Sequence, residues 1–265
     1  MNSMKVKELF AIPKFNDGAL KVWQRNFLYF KKTWLVSLFW IVLEPVIYLG
    51  AIGFGLGAFV NNMGGMSYIE FFFPALLCTT AMLVAFFEGT YGNYTKLTHQ
   101  RTYATIMLTR VGPEEIVAGE LLWAASKGFF GVLGVTVVAI FFGLIDTPKI
   151  LLALPVLFLL SCLFSCIGMI FTSIARNYDS FIYSTSGLIV PMSLLSGTYF
   201  PLEQLPTTLR YVAYLFPLTH AVGAVRGILH DGNPLWISVH ILVLLLATWI
   251  CMNISFVRIR HKLLK

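Results

Sequence analysis

Three charged side chains fall inside apolar stretches of the sequence: Glu44, directly before Pro45, then Glu88 and Lys127. A charge at membrane depth is costly, so each invites a paired or functional reading. Glu88 and Lys127 would lie at similar depths on successive antiparallel helices, so they can pair, either as structural glue or as a moving part of a gate. Cys162 and Cys166 share a helix face at four-residue spacing and could form a ligand pair. Small packing residues are the simpler assignment, because Cys78, Cys162, Cys166 and Cys251 all fall within apolar runs, where neither a disulfide framework nor a closed metal site is expected. The histidines His99, His220, His230, His240 and His261 are scattered. The sequence has no GxxxxGK[ST] phosphate loop and no HExxH or GxSxG motif, so it predicts no nucleotide hydrolysis, no metal centre and no catalytic constellation in this chain.

A different chemistry, mechanical contact with a soluble partner, is suggested between Lys96 and Arg110. Tyr103, Ile106, Met107 and Arg110 fall on one face of a short helix that stops at Gly112-Pro113. Pro113 and the carboxylates Glu114 and Glu115 suit the first turn of the next helix. A short amphipathic helix held between two spans is what a membrane domain needs if a soluble motor is to push it; an interfacial helix with no partner is the alternative.

The elements around these residues read as an all-α membrane protein. Apolar residues make up 58% of the 265, and charged residues only 12%, about half the share in a soluble domain. Spans are expected at about 34–58, 70–89, 117–142, 150–174, 181–195 and 235–257, each near the roughly 20 apolar residues a crossing helix needs. They form one membrane domain over 34–257. With the N-terminus inside, the cytoplasmic pieces hold fifteen Lys and Arg, while the outer pieces hold only Lys149, Arg210 and Arg226. That asymmetry favours about six spans with both termini cytoplasmic. The net charge of +7 is thereby read as a topology signal rather than as a nucleic-acid surface. The first apolar run begins only near Trp34, after seven Lys or Arg, so no cleavable signal peptide is expected.

Two segments are neither spans nor simple loops. In the cytoplasmic N-terminal stretch 1–33, Leu20, Trp23, Phe27 and Phe30 recur at helical spacing, with Lys21, Arg25, Lys31 and Lys32 off that stripe. This predicts a helix lying in the membrane interface, the alternative being a solvated basic tail. Between Gly197 and Gly232, two apolar pieces too short to cross are separated by Pro217. They predict a re-entrant helical hairpin between spans five and six, packed against the bundle, the alternative being an outer loop. A basic tail, 258–265, ends the chain. Gly53, Gly55, Gly57, Gly128, Gly131 and Gly134 are read as marks of close helix packing.

The run from Gln100, Arg101 and Thr102 through Tyr103, Ile106, Met107, Arg110, Pro113 and Glu114 to Glu120 resembles the coupling segment of ABC-2 type (type 2 ABC exporter) permeases. The later run Gly197-Thr198-Tyr199-Phe200-Pro201 is similar to the same family's signature after the fifth span. The branch it looks most like is the nodulation-type (NodJ-like) lipooligosaccharide exporters and their polysaccharide-exporting relatives. The resemblance implies a multi-pass permease of the bacterial inner membrane, a transporter subunit rather than an enzyme. It implies a permease dimer, two copies of a separate ATPase that would bind ATP and Mg, and no cofactor in this chain. It implies coupling residues at 97–110, an interface helix at about 17–32, and an exit-gate hairpin at about 200–230 that takes in Pro217. The implied cargo is amphipathic, a lipid-linked oligosaccharide or polysaccharide; drug or lipid export is the alternative within the family. A secondary transporter would show inverted repeats and midplane carboxylates, and a membrane-embedded lipid enzyme would gather acid and base groups at one depth. The sequence displays neither pattern.

Overall fold

The computed structural model describes residues 16–60, 65–144 and 148–264, so the basic stretch 1–15 and Lys265 of the tail lie outside the described residues. Helices fill almost all of that chain. Five are long and apolar enough to cross a membrane: α2 (Trp34–Ala58), α3 (Tyr68–His99), α5 (Pro113–Phe141), α6 (Ile150–Ile174) and α10 (Pro234–Leu263). Helix α1 (Asp17–Lys32) precedes them, and the short α4 (Thr102–Met107) joins α3 to α5. After α6 come α7 (Ser180–Leu195) and the pair α8 (Thr207–Tyr214) and α9 (Pro217–Leu229).

Local chemistry sets most of these ends. Asp17 opens α1 and Lys31 and Lys32 close it, matching the helix dipole. Ser67 and Glu70 form a reciprocal capping box at the start of α3. Pro113 takes the first position of α5, and the Glu115 carboxylate accepts the Gly112 N–H at 2.7 Å. Helix α3 runs further than the expected span, because two wide turns at Glu88–Gly92 and Thr95–His99 carry it on. Helix α10 likewise continues through the described part of the basic tail.

Helices α3, α5 and α6 pack on one another, α10 lies along α6, and α9 wedges among α3, α6 and α10. Their shared core centres on residues such as Phe72, Leu77, Met82, Phe86, Leu157 and Phe164. Where α3 crosses α6 the backbones touch: a Cβ on Gly168 would stand 2.8 Å from the Phe86 carbonyl. Gly131 of α5 admits Ile41 of α2 in the same way. Gly168→Ala therefore forces the α3–α6 crossing apart, and thermal unfolding in detergent should show a loss of about 1–3 kcal/mol.

The expected fifth span and the hairpin come out shorter than a plain crossing. Helix α7 has the length of about 24 Å that its residues give at about 1.5 Å each, below the apolar thickness of about 30 Å. Just past its end, Gly197 has a φ of +73°, which suits a residue without Cβ. Helices α8 and α9 are 8 and 13 residues long and meet at an angle of 86°, with Pro217 at the first position of α9. Among the described residues there are thus five helices able to cross, or six if the bent pair counts as one.

Candidate functional site

At one end of the bundle α1, α4, the end of α3, the start of α5 and the end of α10 meet. Tyr103 of α4 is buried beside Val22 of α1 and Ile116 of α5, with Ile106, Met107 and Leu263 packed around them. The α4 face holding Tyr103, Ile106 and Met107 is thus its inner face. Its outer face carries Ala104, Thr105 and, just past the helix end, Leu108, which is 87% exposed. Arg101 starts the helix from a left-handed conformation, φ 49°, and Arg110 lies beyond the helix; both are exposed. Gln100 ends the preceding wide turn, its side chain accepting from Thr102 at 3.3 Å. Glu114 pairs with Arg260 at 3.2 Å on the surface. Helix α1 takes the range expected of the interface helix. Its buried line is Ala19, Val22 and Asn26, with Trp23 and Phe30 edge-on to Trp123, while Leu20 points outward.

Directly behind α4 lies a buried ion cluster. Lys127 reaches Glu88 at 2.8 Å, the pairing expected from their depth. Lys96 joins two carboxylates, Glu120 at 2.7 Å and Glu88 at 3.1 Å. Asn26 of α1 donates to Glu120 at 3.0 Å, Arg25 stands 3.8 Å from it, and the Trp123 indole N–H donates to Glu88 at 3.0 Å. Glu120 is wholly buried. Three cations thus face two carboxylates and tie α1, α3 and α5 together. Sequence reasoning missed Lys96, Glu120, Arg25 and Asn26 as members. One signal was available, since Glu120, Trp123 and Lys127 recur at helical spacing on a single face of α5. Burial, followed by the nearby Glu120 and Glu88 charges, pushes the Tyr103 phenol well above its ordinary pKa, so it remains a neutral hydroxyl. Neither the Tyr103 hydroxyl nor Glu120 Oε1 has a hydrogen-bond partner among the described residues.

Three cavities adjoin along α2 and α3. A cavity of about 230 Å³ is bordered by Arg25, Lys96 and Lys127. It shares Glu88, Gly92 and Lys127 with a second of about 460 Å³. That one shares Ile41, Glu44, Val84 and Phe87 with a third of about 360 Å³, which extends between α2, α3 and α7 to Tyr199. Glu44 is exposed on α2 and makes no hydrogen bond or ion pair with the described residues.

At the opposite end the hairpin is pinned by Arg226, a residue that sequence reading treated only as a topology charge. Its guanidinium donates to the Phe71 carbonyl at 2.9 Å and the Gly197 carbonyl at 3.0 Å, and lies 3.8 Å over the Phe71 ring. Tyr199 stacks on Phe72, and its carbonyl accepts from Tyr68 at 3.1 Å. Phe200 and Pro201 follow, half-buried. Arg226→Met removes both charged hydrogen bonds, worth about 3–6 kcal/mol together. Amide exchange across α9 and around Gly197 should accelerate while that of α5 stays unchanged.

The description "ABC-2 type transporter" belongs to the family whose model matches residues 19–230. Nodulation protein J of Rhizobium meliloti (strain 1021) is 36% identical over 231 residues, covering 87% of this chain and 88% of that protein. Nodulation protein J of Rhizobium leguminosarum bv. viciae is 35% identical over 256 residues, covering 96% and 98%. The inner membrane transport permease YadH of Escherichia coli (strain K12) is 23% identical over 209 residues, covering 78% and 81%.

Proposed function

The chain belongs to the ABC-2 type transporter family, and on that premise we propose that it is the permease of an ATP-driven exporter for an amphipathic cargo, most closely a lipid-linked oligosaccharide or polysaccharide. It works as a dimer in the bacterial inner membrane, with two copies of a separate ATPase at its basic end. Each chain crosses about six times, counting α7 as a crossing and the α8–α9 hairpin as re-entrant from outside, and both termini are cytoplasmic. Residues 34–257 act as one membrane domain, with α1 lying in the cytoplasmic interface.

The observation that carries this reading is α4. Its inner face is locked under α1 and α5 by Tyr103, and its outer face presents Ala104, Thr105 and Leu108 to a partner. A push on α4 bears on the packed end of the bundle and on the ion cluster behind it, since interiors this dense transmit displacement rather than absorb it. Nucleotide-driven closure of two ATPases on a permease dimer would swing the two halves between inward and outward states. The glycolipid assignment draws on the likeness to the nodulation proteins and on aromatic and hydroxyl side chains along the cavity between α2, α3 and α7.

Inverted membrane vesicles holding the chain and its ATPase should accumulate a fluorescent lipid-linked oligosaccharide only when ATP is added. Equal accumulation with and without ATP would sink the export reading.

A further inference from the structure

The adjoining cavities run from the basic end to the hairpin, and the charge along them changes sign once. The inner mouth is bordered by Arg25, Lys96 and Lys127, three cations against the two carboxylates Glu88 and Glu120, so its balance is positive. Among the described residues, the only charged side chain bordering the outermost cavity is Glu44. Ten residues into α2, it stands about 15 Å from the inner end of that helix, at membrane depth. A carboxylate held there without a protein partner is costly, and the functional default is that it faces a cavity and meets something passing through it. Beyond it the wall offers hydroxyls and ring faces. The Thr185 hydroxyl is buried without a hydrogen-bond partner, Thr79 and Ser193 stand nearby, and Tyr48 and the stacked pair of Phe72 and Tyr199 supply aromatic surface.

We infer that this groove sorts cargo by charge: its cationic mouth and the Glu44 carboxylate together admit an uncharged, hydroxyl-rich chain, a neutral glycan segment, and reject fixed charges of either sign. A cation is repelled at Arg25, Lys96 and Lys127. An anion that passes them meets Glu44 in a setting where opposition of like charges is far stronger than in water. A neutral sugar crosses both points. Its hydroxyls donate to the Glu44 carboxylate and to the orphan Thr185 oxygen, and its C–H faces lie on the aromatic wall. A purely apolar chain would leave Glu44 desolvated and unpartnered, which disfavours it. The inference rests on the permease reading above and adds the charge class of the cargo.

The test is binding of three radiolabelled probes, read both as affinity and as association rate, to the full chain in nanodiscs of zwitterionic lipid: dodecyl glucoside, its 6-sulfate and its 2-amino-2-deoxy analogue. The expected result is saturable glucoside binding, about tenfold tighter than that of the sulfate, and an association rate for the protonated amino analogue about tenfold below that of the glucoside, because the cationic mouth opposes its entry. Glu44→Gln keeps a hydrogen-bonding side chain and removes the charge, so the sulfate-to-glucoside affinity ratio should rise about tenfold. An unchanged sulfate-to-glucoside ratio in Glu44→Gln would overturn the inference, as would absence of saturable glucoside binding in the unaltered chain. Failure of the exporter reading shows separately, as absence of a co-purifying ATPase, and leaves these binding ratios where they are.

Discussion

Lys96→Met lowers the unfolding free energy of the membrane domain by about 3–5 kcal/mol, the range for removing one partner of a buried ion pair. The Lys96 ammonium is the shared member of the cluster, 2.7 Å from Glu120 and 3.1 Å from Glu88. Without it Glu88 keeps Lys127 and the Trp123 indole, but Glu120 keeps only the Asn26 amide and an Arg25 guanidinium 3.8 Å away. A wholly buried carboxylate is then left short of positive charge, and that stranded charge, rather than the lost attraction, sets the size of the effect. The double variant Lys96→Met with Glu120→Met removes the stranded charge as well, so it should recover part of the loss. Unfolding in mixed detergent–SDS micelles, run as a double-mutant cycle, measures both. Full additivity of the two single losses would show that Lys96 and Glu120 do not act as a pair.

Leu108→Glu leaves the fold intact, within about 0.5 kcal/mol as for other exposed positions, and reduces ATP-driven transport by at least about tenfold. Leu108 is the large apolar side chain presented by the α4 segment, 87% exposed on a chain turn that Tyr103 anchors from beneath. A carboxylate there opposes docking of an apolar pocket without touching the bundle. The residues that sequence periodicity singled out make a poorer probe. Tyr103 is buried, so Tyr103→Ala opens a cavity worth about 3–5 kcal/mol and confounds folding with coupling. Met107 packs against the same cluster. The measurement is transport per ATP hydrolysed alongside a melting curve. A Leu108→Glu chain that transports normally would remove α4 from the coupling path.

Apolar run lengths were enough to place the long helices, because a membrane-crossing helix must hide its backbone within its own segment. Depth counting was enough to pair Glu88 with Lys127, since antiparallel neighbours bring equal depths together. Lys96 escaped that reasoning because the wide turns at Glu88–Gly92 and Thr95–His99 change which face it presents, and such turns leave no periodic trace. The extent of α4 escaped for a related local reason. Arg101 turns into the left-handed region before it, and the Thr109 hydroxyl, bonded to the Ile106 carbonyl at 2.7 Å, diverts the backbone after it, so Arg110 leaves the helix face. The spacing of Tyr103, Ile106 and Met107 correctly defined one face, but periodicity does not say whether an apolar face meets the bundle or a partner. The role of Glu44 was illegible because it depends on cavities between α2, α3 and α7 that no local pattern encodes.

If a separate ATPase drives this permease through α4, the two should travel together, and affinity purification in mild detergent shows whether they do. An ATP-hydrolysing protein should co-purify in stoichiometric amount with the unaltered chain and be lost, or lose its stimulated activity, with Leu108→Glu. Recovery of the chain without any ATPase, or an equal yield of active ATPase on the Leu108→Glu chain, would contradict that coupling.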